Sequence, residues 1–76
     1  MAHIEKNEFA IEVKVDNIGY VRVGKIFKNR HEAKSKAGKI FHVDYVKSVC
    51  VHDGAGISHL YLKRNDDGTV LREELA

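Results

Sequence analysis

The residues able to do chemistry cluster in one stretch, VKSVCVHDGAGISHLYLKR, positions 46–64. It holds the only thiol of the chain, Cys50, two imidazoles, His52 and His59, and the phenol Tyr61. Its β-branched halves flank a turn sequence, so it reads as a hairpin with a four-residue loop, Asp53 to Gly56. That loop pairs His52 with Ile57, Cys50 with His59, Ser48 with Tyr61 and Val49 with Leu60. Directly opposed residues place Cβ atoms about 4.5–5.5 Å apart, so Cys50, His52 and His59 become neighbours. One face then carries Val43, Tyr45, Val49, Val51, Leu60 and Leu62, with Lys47 snorkelling from it, and is the core face. The other carries Val46, Ser48, Cys50, His52, Ile57, His59 and Tyr61.

Three accounts of that second face compete. The plainest is packing: Cys is a small hydrophobe, and His packs readily on a half-buried surface. The second is an interaction surface for a protein partner or a second copy, formed by Ser48, Cys50, His52, Ile57, His59 and Tyr61, because a semi-apolar face low in charge suits an interface. The third is chemistry, since a thiol beside an imidazole can be activated and Cys/His sets bind zinc. A flat sheet offers no oxyanion hole, and zinc would lack a fourth ligand beyond Asp53. We therefore expect no catalytic residue, no resident metal and no cofactor.

A second feature is charge. Arg22, Lys25, Lys28, Arg30, Lys34, Lys36 and Lys39 stand against Glu32 alone, which makes segment 22–39 +6 and leaves −4 for the rest of a chain whose total is +2. A basic segment is the usual footprint of phosphate binding. Lys25, Lys28, Arg30, Lys34, Lys36 and Lys39 are thus the candidate nucleic-acid surface. The plain alternative is a solvated helix face, because the cations form no single stripe on a helical wheel. No zinc-finger, aromatic RNA-binding or GxxG signature accompanies them. Gly54-Ala55-Gly56 lies in a hairpin rather than between strand and helix, so it is no dinucleotide loop. In Asn65-Asp66-Asp67-Gly68 a calcium-loop alignment puts Lys63 at the first ligand position.

These residues need elements to hold them. FAIEVKV, 9–15, alternates strictly and reads as a strand. YVRVGKIF, 20–27, alternates again, and the two make a hairpin. Matching faces favours Val15 opposite Val21, Val13 opposite Val23 and Phe9 opposite Phe27, with a loop from Asp16 to Tyr20. The outer face then holds Glu12, Lys14 and Arg22. Asn29 is a favoured N-cap with Glu32 three residues on, and Ala33, Ala37, Ile40 and Phe41 recur at helical spacing, predicting a helix over 30–41. Gly38 weakens it. Asp67-Gly68 marks a further turn, and TVLREEL reads as a short fifth strand or a helical turn. The expected fold is α+β: one domain over 9–76 after a flexible segment 1–8, ordered β-β-α-β-β(-β), with one helix on one face of an antiparallel sheet of four or five strands.

Composition sets the outer bounds. Seventy-six residues, 43% hydrophobic and 32% charged, describe one globular domain. A chain this short rarely has interior for a pocket of roughly 300 Å³ or more, which argues against an enzyme. A single Cys excludes a disulfide framework, and no apolar run reaches the ~18 residues of a membrane span. A reducing, cytoplasmic setting follows as the expectation. The function expected is therefore that of a small intracellular, non-enzymatic interaction protein, a binding module or an inhibitor of the kind mobile elements encode. It would use its open sheet face or its basic helix. Nucleic-acid binding by segment 22–39 is the alternative, and a Cys/His metal or thiol site the third reading.

Overall fold

The computed structural model describes residues 4–76. Its elements are β1 (Phe9–Val15), β2 (Gly19–Phe27), α1 (Arg30–Phe41), β3 (Val46–Asp53), β4 (Ser58–Arg64) and β5 (Val70–Glu74). All five strands join one sheet in the order β2-β1-β3-β4-β5, with every neighbouring pair antiparallel. The tail is thus a strand. No helix among the described residues is long and apolar enough to cross a membrane.

The helix begins where expected. Asn29 is extended, and its side-chain oxygen accepts a hydrogen bond from the Glu32 amide at 3.0 Å, satisfying one of the orphan donors of the first turn. Ala33, Ala37 and Phe41 are buried and Ile40 packs beside them. Small side chains at the crossing let α1 lie close over β3. Beneath it, Ile11, Val49, Val51 and Leu60 are fully buried, and each contributes about 1.5–3 kcal/mol. Arg64 closes the other end of the helix. Its guanidinium lies 4.5 Å from the centre of the Phe41 ring and donates to the carbonyls of Phe41 (2.8 Å) and Val46 (2.7 Å). A cation thereby meets the carbonyl end of the helix dipole.

Both hairpin registers differ from the expected ones, by two residues from Ile11 to Val15 in the first and, in the second, by one beside the loop and two beyond a bulge at His59. In the first, Val13 opposes Val21, Ile11 opposes Val23 and Val15 opposes Gly19, so the loop is only Asp16 to Ile18. Asn17 takes φ 66°, a conformation Asn tolerates better than most residues. Phe9 still meets Phe27, because Gly24, at φ 72°, opens a bulge in β2 before that pair. In the second, Asp53 pairs with Ile57, Cys50 opposes Tyr61 and Val49 opposes Leu62. A bulge at Lys47, in the pairing of β1 with β3, turns Val46 into the core at 3% exposure rather than onto the opposite face. Val43 and Tyr45, expected in the core, precede β3 and are exposed.

Of the flexible segment expected over 1–8, residues 1–3 lie outside the described residues. Residues 5–8 form a turn closed by the Glu8 amide on the Glu5 carbonyl at 2.9 Å. This turn lies against Gly54, where a Cβ would overlap the backbone oxygens of Ile4 and Glu5.

Two glycines therefore predict opposite outcomes. Gly38 is helical, and a Cβ there meets nothing within 4 Å. Gly38→Ala is expected to raise unfolding free energy by about 0.5–1 kcal/mol in urea titration. Gly54→Ala is expected to lower the melting temperature and to speed amide exchange at Glu8, as the N-terminal turn is pushed from its seat.

Candidate functional site

The uncovered face of the sheet is built in transverse rows. Register places Tyr20, Lys14, Ser48, Lys63 and Leu71 side by side across all five strands. The next row reads Arg22, Glu12, Cys50, Tyr61 and Glu73. The first row contains no acid. Ser48, at its centre, is small and lies low, at 3% exposure between the two lysines. A hollow of about 380 Å³ opens over it, with Lys14, Tyr20, Tyr61 and Lys63 on its rim and Arg64, Asp66, Lys47 and Asp16 toward its ends. Tyr20 is 63% exposed, and the Lys14 ammonium stands 5.8 Å from its ring centre. Lys47 and Asp16 meet at 3.8 Å at one end, an exposed pair of little energetic weight.

Of the six residues expected to form one surface, Ser48, Cys50, His52 and Tyr61 share this face. Ile57 closes the hairpin loop and is half exposed. His59 leaves the set. The bulge between the Val51–Leu60 and His52–Ser58 pairs makes His59 an extra residue, so it does not oppose Cys50. Its Nε2 instead lies 2.7 Å from Asp53 Oδ2, and its ring meets Phe9 edge-on at 5.1 Å. The Cys50 thiol has Ser58 Oγ at 3.5 Å as its hydrogen-bond partner. His52 Nε2 comes 2.5 Å from Glu12 Oε1, off the line of a hydrogen bond, while its Nδ1 lies 3.2 Å from the Asp53 carbonyl. Among the described residues, no three of His, Cys, Asp and Glu converge as metal ligands would. Tyr20 and Lys63 join the site through lateral pairing alone. Both become visible only once the neighbouring strands and their registers are known.

Asp53, considered above only as a fourth zinc ligand, organises the hairpin. Oδ1 accepts from the amides of Ala55 (2.9 Å) and Ile57 (3.0 Å), and Oδ2 takes His59. The His59 hydrogen bond, then the Ile57 amide, hold its carboxyl below the usual carboxylate range.

The basic segment divides in two. Arg30 donates to the Leu75 carbonyl, and Lys34 pairs with Glu74 at 2.9 Å, so these two cations hold the end of β5. Lys34 and then Arg72 lower the Glu74 carboxyl to about 2. Lys25, Lys36 and Lys39 line a second, open groove of about 650 Å³ between α1 and the β2 bulge, together with His31 and Ser35. Lys25 also reaches Glu32 at 3.4 Å. Lys28 is exposed in the connection between β2 and α1. Comparison with family models, curated proteins and solved structures returns no match for this chain.

The carboxylates set the pH response. Asp53 and Glu74 carry lowered values in the fold, so the stability they contribute is fully present above their ordinary values of 3.8 and 4.5. It is lost as pH falls through the folded values. Asp53→Asn is expected to melt below the parent at pH 7, with the gap closing as pH falls through the carboxylate range. A gap independent of pH in thermal melts followed by circular dichroism would exclude the ionised Asp53 carboxylate as its source.

Proposed function

We propose that the chain is a small, non-enzymatic binding module that engages a macromolecular partner through the uncovered sheet face. The observation that carries this reading is the hollow over Ser48. The helix serves one side of the sheet, and the other keeps two tyrosines and a mixed set of charges, Lys14, Lys47, Lys63 and Arg64 with Asp16 and Asp66, around a recessed hydroxyl. Tyrosine supplies large contact area with few torsions to freeze, the composition that binding surfaces favour. The reading is non-enzymatic because the groups that would form a thiol site are engaged elsewhere, Cys50 with Ser58 and His59 with Asp53. The intracellular setting belongs to the same reading and rests on a free, half-buried Cys50.

Photocrosslinking in cells tests it. A photoreactive residue at Tyr20 is expected to trap a discrete partner, and Tyr61→Asp or Lys63→Glu is expected to abolish the adduct while the melting temperature holds. His59→Glu is unsuitable as a probe, since it would break the Asp53 turn. An adduct formed from Ser35 and not from Tyr20 would overturn the reading in favour of the helix groove.

A second reading is supported by the meeting of Lys25, Lys36 and Lys39 at one groove, which suits a phosphate backbone. It expects labelled DNA or RNA to bind in fluorescence polarisation, with log K falling linearly with log salt. Lys36→Glu with Lys39→Glu would lower affinity uniformly across sequences. Affinity lost instead with Lys14→Glu and Lys63→Glu would place nucleic acid on the sheet face.

A further inference from the structure

The sheet ends in two edges of different character. β2 is interrupted by its Gly24 bulge, so its outer groups do not form one continuous ladder. β5 is regular along its pairing with β4 and exposed at every residue. Its bonding direction follows from two contacts of the same ladder: Asn65 N donates to Thr69 O at 2.8 Å, and Leu75 N donates to His59 O at 3.0 Å. In an antiparallel pair hydrogen-bonded positions alternate, so Thr69, Leu71, Glu73 and Leu75 bond inward to β4. Val70, Arg72 and Glu74 therefore direct their N–H and C=O groups outward.

We propose that this edge pairs with itself: two copies join antiparallel through β5, about a two-fold axis perpendicular to the sheet and beside Glu73. The side chains select the register. Setting Arg72 against its own copy would oppose two cations and place Leu71 against Glu73. Moving two residues along keeps the outward-bonding positions opposed and sets Arg72, which already pairs with Glu74 of its own chain at 2.8 Å, against Glu74 of the second copy, so that the pairs join into one alternating network. Symmetry makes that ion pair twice. On the uncovered face the same register sets Leu71 against Leu75 of the second copy, again twice, covering residues that are 42% and 45% exposed. Its cost is Glu73 against Glu73 at the axis. The helices do not collide, because α1 lies over β3, and five strand spacings of about 4.8 Å separate the two β3 strands by about 24 Å. That exceeds the roughly 10–12 Å diameter of a helix. This association uses the edge rather than the face, so it stands or falls independently of the proposed function.

Analytical ultracentrifugation tests it. A single strand pair buries less than the roughly 1,200–2,000 Å² of a standard interface, so protein up to about 1 mM is needed. A monomer–dimer equilibrium is expected. Arg72→Glu turns both ion pairs repulsive and is expected to weaken dimerisation about tenfold or more. Glu73→Gln relieves the contact at the axis and is expected to strengthen it about two- to fivefold. Arg72→Pro removes an outward N–H that β4 does not use, and is expected to abolish the dimer while circular dichroism and melting temperature hold. A monomer throughout the range would overturn the proposal. So would a dimer indifferent to both Arg72 variants, or one that Glu73→Gln weakens.

Discussion

A carboxylate with little access to water must have its lone pairs met by the protein, and Asp53 has its met by two amides and an imidazole. That arrangement does more than satisfy one side chain. The two amides close the turn between β3 and β4 into three residues. The imidazole accompanies a bulge that leaves His59 without a partner on β3, and the β3–β4 pairing beyond it is shifted by one position. Cys50 faces Tyr61, and Ser48 faces Lys63, as a consequence. The make-up of the uncovered face thus follows from a hydrogen-bonding requirement at one end of a hairpin.

The other constraint is coverage. One helix can serve only one side of a five-stranded sheet, and α1 lies over β3 with its small residues facing the strands. Toward β5 the helix side turns polar, and Lys34, Arg72 and Glu74 replace aliphatic contact with charge. β5 is therefore held by its hydrogen bonds to β4 and by the cations of α1 rather than by burial. It is the part of the sheet whose own packing leaves most surface unused.

The same division explains the basic segment. Its excess of cations is partly internal wiring, since Arg30 and Lys34 answer the acidic end of the chain. What faces outward is Lys36 and Lys39, with Lys25, which also reaches Glu32, at the same groove and Lys28 exposed in the connection before the helix. Net charge along a sequence is blind to that difference, because it counts a cation whether or not the fold has already spent it.

Local chemistry was legible in the sequence. The helix over 30–41 follows from the Asn29 cap and the alanine stripe, and the strands follow from alternation. The parity of most strand residues was right as well, because burial separates odd from even positions. Register was not legible, and the reason is physical. Two registers that differ by two residues place the same residues on the same face, so an apolar pattern cannot distinguish them. In both hairpins the choice belonged to backbone features at particular residues: the left-handed Asn17 and Gly24, and the Asp53–His59 pair. The Lys47 bulge even reversed the parity of Val46. The sequence by itself determined which residues form helix and strands and, for most of them, which side they face. Only the tertiary structure decided who stands beside whom. Those lateral neighbours come from four different pairings, and what offsets a pairing is a bulge or a side-chain hydrogen bond at a single residue, which an alternating apolar pattern does not record.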